Sequence, residues 1–293
     1  MIQAVLPYPH FDPVALHLWG DIGIRWYALS YIAGILLAWW GILRVLRRKG
    51  LWAAPPFNGA PPASEEDIGD LVMWATLGII IGGRLGWVLI YGVILCSVTP
   101  DYGGFCTGLP MDFVHHPLHI LAAWEGGMSF HGGLLGVALA VWLFCRRRKL
   151  KLLAISDLVS AFAPIGLFFG RIANFINGEL WGRPSDVPWA MVFPRAGNIP
   201  RHPSQLYEAA LEGIALLVIM QIALRVFRCH RRPGLLSAIF LLGYGCFRFF
   251  VEWFREPDSQ FIGPVSMGMA LSIPIWLAGG LLLWMACRKP AAK

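Results

Sequence analysis

Tyr244, Arg248 and Glu252 recur at every fourth position of an otherwise apolar stretch. In a helix that spacing puts a phenol, a guanidinium and a carboxylate on one face and lets Arg248 pair with Glu252. Arg171, Asn174 and Gly178 follow an i, i+3, i+7 pattern and share a face of another helix. His131 stands in SFHGGLLG (129–136), where neighbouring glycines let a backbone or a ligand approach closely. Arg84 lies within GGRLG (82–86) and Tyr27 within RWYALSY (25–31). Guanidiniums suit a phosphate that gains charge in a reaction, because they offer paired hydrogen bonds in a fixed fork. An imidazole of pKa about 6.5 suits removal of a proton from a thiol of pKa about 8.5. Each residue also has a plainer reading. Arg248–Glu252 can be a buried structural pair, Arg84 a helix-packing residue and His131 a satisfied polar group. Asp157 reads as a feature at the N-terminus of its own helix, and His115, His116 and His119 as loop residues.

Membrane helices must position these groups. The 293 residues are 57% hydrophobic and 14% charged, with a mean hydropathy of +0.61, far more apolar than a soluble domain. Fourteen Trp and 33 Gly fit interfacial anchoring and close helix packing. A bilayer span needs about 20 mostly apolar residues. Seven stretches qualify: 24–43, 68–95, 130–145, 152–177, 206–224, 235–254 and 267–286, the third continuing backward through 126–129. The expected fold is all-α, a single transmembrane domain over 1–293 with about seven transmembrane helices. No signal peptide is read at the N-terminus.

Basic residues set the orientation. Arg44, Arg47, Arg48 and Lys49 follow the first stretch; Arg146, Arg147, Arg148, Lys149 and Lys151 follow the third. Arg225, Arg228, Arg231 and Arg232 follow the fifth, and Arg288, Lys289 and Lys293 the seventh. These sixteen of the 24 Lys and Arg lie on alternate sides of consecutive spans, which places them and the C-terminus in the cytoplasm and the N-terminus outside. The net charge of +7 is therefore a loop signature and implies no nucleic-acid partner. Two outer segments are long: an arm over 97–129, whose 117–124 stretch reads as a short interfacial helix, and an irregular cap over 178–205. Six Cys show neither CxxC nor His/Cys clustering, so no metal site is expected. Cys96 and Cys106, at the edges of the arm, either pair or remain free thiols.

Counting about 1.5 Å per residue from the cytoplasmic ends puts Tyr27, Arg84, His131, Arg171, Arg248 and Glu252 about 20 to 28 Å deep. That is one level, in the outer half of a hydrocarbon core about 30 Å thick. Charges inside spans are costly and face a cavity or a partner. Their convergence points to a shared polar chamber.

The segment GRIANFINGELWG (170–182) closely resembles the signature of the bacterial prolipoprotein diacylglyceryl transferase family. RWYALSY (25–31), GGMSFHGGLLG (126–136), RHPSQLYEA (201–209) and GYGCFRFFVEWFREPD (243–258) resemble the same family, so the likeness covers nearly the whole chain. The resemblance implies an enzyme of the bacterial cytoplasmic membrane. It would move the diacylglyceryl group of phosphatidylglycerol onto the lipobox cysteine of a preprolipoprotein, forming a thioether and releasing glycerol phosphate. It implies His131, Arg171, Arg248 and Glu252 as catalytic residues, and Tyr27, Arg171, Asn174, Glu179, Gly182, Tyr244 and Arg248 as substrate-binding ones. The partners are phosphatidylglycerol, the preprolipoprotein signal peptide with its lipobox, and membrane lipids; neither metal nor cofactor is required. His131 either takes the thiol proton or hydrogen-bonds the head group while a positive local field deprotonates the thiol. The sequence departs from the family pattern at Ala28, where Gly commonly follows the Trp-Tyr pair, and in a longer arm and shorter cap. A transporter or flippase would use similar groups, but no internal repeat is visible and the polar groups stop in one leaflet. An intramembrane protease needs a Ser–His or Asp–Asp pair, and neither stands at matching depth.

Overall fold

The computed structural model describes residues 6–9, 11–19, 22–95, 116–121, 127–257, 260–262 and 265–288. Cys96, Cys106 and His115 lie outside these residues, as does most of the arm. The helices are α1 (Trp26–Leu46), α2 (Lys49–Trp52), α3 (Glu65–Gly86, continued by the π-helix Trp87–Leu95), α4 (Phe130–Arg148) and α5 (Leu152–Ile176). They are followed by α6 (Ser204–Arg225), α7 (Leu235–Val251) and α8 (Met267–Arg288). Each of the seven apolar stretches carries one of these helices. Five of them, α1, α3, α5, α6 and α8, are long and apolar enough to cross a membrane. By that criterion α7 is short, and the last turn of α4 carries three arginines. The chain is an integral membrane protein. Its helices expose side chains such as Leu135 (68%) and Leu277 (69%), which only a lipid surface accommodates at such density.

The chain divides into two units, Met1–Pro62 with Leu153–Lys293, and Ala63–Leu152. In the first unit, α1 begins at Trp26, two residues later than predicted. The reason is that Ile22–Arg25 pairs antiparallel with Val14–Trp19 in a hairpin that the apolar count did not register. Backbones of α1 and α5 approach closely: a Cβ on Gly34 would come within 3.1 Å of Gly166 Cα, and the Phe162 ring lies directly on Gly41. Tyr8 donates to the Phe175 and Ile176 carbonyls (2.6 and 2.9 Å) and so ties the N-terminal segment to the last turn of α5. Leu6–Pro7 pairs parallel with Met191–Val192 of the cap.

Asp157 does not serve its own helix. Buried between elements, it accepts from Gly234 N, Ser237 N and Ser237 Oγ, each at 2.8 Å, and thereby caps α7. Gly234 takes φ +97° at that junction, a conformation that side chains disfavour. In α6 the turn Ala209–Ala215 is wound as a π-helix, a form that often marks functional sites.

In the second unit α3 starts with a capping box, in which Ser64 Oγ accepts from Asp67 N (3.0 Å) and Asp67 Oδ2 from Ser64 N (3.0 Å). The glycines beside His131 admit a backbone, not an empty space. Cβ atoms on Gly82 would lie 2.4 Å from Gly132 O, and on Gly136 2.1 Å from Gly78 O. The two helices thus cross along small residues spaced four apart. Gly82→Ala is expected to lower the melting temperature in detergent, since one added methyl group in a tight core costs about 1–3 kcal/mol. Gly133→Ala, whose Cβ would meet nothing nearer than Ile79 O at 3.6 Å, serves as the control. Equal melting of the two variants would rule out this crossing.

Candidate active site

Arg171 on α5 and Arg248 on α7 meet around carboxylates supplied by α6. Glu208 Oε2 lies 2.9 Å from Arg171 Nε, and Glu208 Oε1 lies 2.7 Å from Arg248 Nη1. Glu212, one turn on, accepts from Arg171 Nη2 at 3.1 Å and lies 3.9 Å from Arg248 Nη1. Both glutamates are fully buried (0%). The predicted Arg248–Glu252 pair forms through Arg248 Nη2. Arg255 adds a third guanidinium, 3.3 Å from Glu208 Oε1. Three arginines thus face three glutamates. Burial on this scale is tolerable only because every charge has a partner, and it fixes the long arginine side chains that would otherwise be mobile. Tyr244, one turn before Arg248 as the i, i+4 spacing anticipates, is also within electrostatic reach of Glu212 and Arg171.

Glu252 is held from its other side as well. Ser266 Oγ donates to Glu252 Oε2 (2.6 Å) and accepts from Met269 N (3.2 Å) at the start of α8. A Cβ on Gly268 would stand 2.3 Å from Glu252 Oε1, so only glycine lets α8 come this near the carboxylate.

A second polar group adjoins Arg171 on α5. Asn174 Nδ2 lies 2.5 Å from Tyr27 Oη and 2.8 Å from Glu179 Oε1. Gln205 Nε2 donates to the Glu179 carbonyl (2.6 Å), which fixes the turn where Gly178 and Leu180 both take positive φ. The Tyr31 ring is tilted against that of Tyr27, 5.6 Å between centroids, within electrostatic reach of Arg171 and Glu179.

Gly182 occupies a crossing of three chain segments. Its N donates to His202 O (2.9 Å), and a Cβ there would meet Phe254 O at 2.5 Å and His202 Cβ at 2.6 Å. Arg183 N donates to Phe254 O (2.8 Å) and Arg183 Nε to Arg255 O (3.0 Å). The motifs at 170–182 and 243–258 are therefore joined through the carboxylates of α6, which pair with Arg171 and Arg248, and directly by backbone, Glu256 N donating to Trp181 O (3.3 Å). Beside this crossing His202 Nδ1 lies 3.0 Å from Tyr207 Oη, and burial pushes the imidazole's pKa down, favouring its neutral form.

Arg84 and His131 belong to the second unit. Arg84 donates to the carbonyls of His119 (2.6 Å), Ile120 (2.9 Å) and Gly127 (3.1 Å) and covers the Trp87 ring. It thus organises what is described of the arm, including the 3-10 turn Pro117–Leu121 where the short interfacial helix was expected. His131 lies in the first turn of α4, two residues after the N-cap Ser129. His116 and His119 stack on one another in the arm. Among the described residues no group of His, Cys, Asp or Glu is arranged to hold a metal ion.

The reading of residue types and spacing missed Glu208, Glu212 and Arg255. A signal existed for the two glutamates. They stand four apart, 17 and 13 residues before Arg225, or about 26 and 20 Å deep, the level assigned to Arg248 and Tyr27.

Helices and cluster together define a polytopic membrane protein with a charge-paired site built from at least three of its helices. The chain belongs to the prolipoprotein diacylglyceryl transferase family, whose profile matches residues 13–285. Relatives named phosphatidylglycerol–prolipoprotein diacylglyceryl transferase include those of Rhodopseudomonas palustris, 50% identical over 94% of this chain and 90% of the relative, and Rhodospirillum rubrum, 48% identical over 98% and 97%. The Allorhizobium ampelinum relative is 47% identical over 97% of this chain and 93% of its own.

Proposed function

We propose that this chain, acting as one transferase domain, moves the diacylglyceryl group of phosphatidylglycerol to the lipobox cysteine of preprolipoproteins, the first step of lipoprotein maturation. The thiolate sulfur attacks the glycerol carbon bonded to the phosphate oxygen. A C–S bond forms, the C–O bond breaks, and glycerol phosphate leaves with the electron pair. The pairing of Arg171 and Arg248 across Glu208 carries this reading. Two guanidiniums are fixed side by side, each 13–17% exposed in its side chain, so their remaining N–H groups can meet a phosphate as it gains charge. Tyr27, Asn174, Glu179, Tyr244 and Gly182 position the substrate or shape the cap above it, and Glu252 orients Arg248.

Charge balance bears on the thiol. With three guanidiniums offset by three carboxylates, the cluster has little net positive field with which to lower a thiol pKa. That favours a discrete base, and His131 is proposed for it. The site is proposed to lie in the outer half of the bacterial cytoplasmic membrane, with about seven spans, the N-terminus outside and the C-terminus inside, as the basic segments require.

Purified protein given phosphatidylglycerol and a lipobox peptide should release glycerol phosphate and add the diacylglyceryl mass to the cysteine. Lipid movement without either product would instead support a transporter. For His131, the wild-type rate should rise with pH, as a base must lose its proton to act. His131→Gln should lose most of the rate and alter the pH profile; an unchanged profile would remove His131 as the base.

A further inference from the structure

Away from the paired cluster, a cleft of about 570 Å³ opens between α1, α5 and α6. Its wall is apolar, formed by side chains such as Leu37, Phe162, Phe169, Ile214 and Leu217. Its polar lining is three arginines: Arg44 in the last turn of α1, Arg48 just beyond that helix, and Arg225 at the final residue of α6. No carboxylate lines the cleft. The Arg48 charge opposes that of Arg225, and Arg44 lies over the Trp40 ring at 4.4 Å. Among the described residues, none of the three has an ion-pair partner. This is the reverse of the Arg171–Arg248 cluster, where every guanidinium is offset. Like charges held together at the mouth of an apolar groove are complementary to an amphiphile with an anionic head.

We propose that the cleft binds one anionic phospholipid, its phosphate between Arg44, Arg48 and Arg225 and an acyl chain along Phe162, Phe169 and Leu217. Basic pockets between helices on the cytoplasmic side take anionic lipid head groups. The proposal rests on the orientation given above only for the leaflet: the lipid comes from the side of the basic loops. It is distinct from the lipid consumed at Arg171 and Arg248, although Gly213, which lines the cleft, directly follows Glu212.

Full-length protein reconstituted with phosphatidylglycerol and phosphatidylethanolamine, then examined by native mass spectrometry, tests this. Beyond any lipid held at Arg171 and Arg248, the wild type should retain one further phosphatidylglycerol, in preference to phosphatidylethanolamine. Arg44→Gln/Arg48→Gln/Arg225→Gln should weaken that retention at least tenfold while glycerol phosphate release, assayed at saturating lipid, stays at wild-type level. Leu217→Trp, which narrows the apolar wall without touching a charge, should lower the same lipid count. Undiminished retention of that further lipid in the triple variant overturns the proposal, as does its equal replacement by the zwitterionic lipid. Parallel loss of lipid and turnover also overturns it, by making the cleft part of the substrate site. If the wild type releases no glycerol phosphate, the proposed reaction fails while the lipid count still reads this cleft.

Discussion

An Arg248→Lys variant should remain folded and lose about 10²–10³-fold in turnover, the scale set by removing one donor that stabilises charge in a transition state. Arg248 uses separate nitrogens for Glu208 Oε1 (2.7 Å) and for Glu252, and a guanidinium has N–H groups to spare for a phosphate. A lysine ammonium keeps the charge but gathers its donors on one atom, so it cannot span both carboxylates and a ligand. Alanine is the poorer probe. It would leave Glu208 and Glu252 buried with one cation fewer, at a cost of about 3–5 kcal/mol, and confuse folding with chemistry. Glycerol phosphate release and a thermal melt on the same preparation separate the two effects. Turnover within about threefold of wild type, with the melt unchanged, would end the idea of a phosphate clamp.

Glu208→Gln should have the largest effect on stability of any single substitution in the cluster. Glu208 is the carboxylate shared by Arg171, Arg248 and Arg255, at 2.9, 2.7 and 3.3 Å. An amide of nearly the same shape leaves three guanidiniums against two carboxylates, a net buried charge of +1. The expected cost is about 3–5 kcal/mol, against a typical total of about 5–15 kcal/mol. Glu212→Gln should cost less, because Glu212 is close only to Arg171, at 3.1 Å, with Arg248 at 3.9 Å. Adding Arg255→Gln to Glu208→Gln restores neutrality and should recover part of the loss, the coupling expected of residues in one network. Melting temperatures in detergent decide the matter. Equal losses for the Glu208 and Glu212 variants, or no recovery in the double variant, would show that Glu208 is not the hub.

The helices were legible because their cause is local. About 20 apolar residues in a row leave the backbone no partner in lipid but itself, and stretches such as 152–177 and 235–254 follow that rule. The hairpin of Val14–Trp19 and Ile22–Arg25 was not legible, since its pairing depends on a partner strand and an apolar count sees only one run. Arg171, Arg248 and Glu252 were found because spacing and depth set them apart. Glu208 and Glu212 stand at the same depth, but they lie on a different helix from the arginines they pair with, so no i, i+4 spacing joins them to Arg171 or Arg248. A guanidinium inside a span calls for an anion, and these two acids stand at the depth where one is needed. Gly182 shows the opposite limit. Its motif marked it as important, yet the contacts with Phe254 and His202 that forbid a side chain come from segments 20 and 72 residues away.

The π-wound turn Ala209–Ala215 can be treated as an insertion that α6 has absorbed without breaking. Removing one residue there would let the helix return to regular α winding with its two flanking halves keeping their bearing, because the wider turn takes up one residue. Glu208 and the half ending at Arg225 would keep their bearings, while Glu212, carried by the wide turn itself, would shift relative to Arg171. Evolutionary drift in the length of this helix is therefore constrained at one point. A helix lacking the extra residue would keep Glu208 against Arg171 and displace Glu212, leaving Arg171 with one of its two carboxylates.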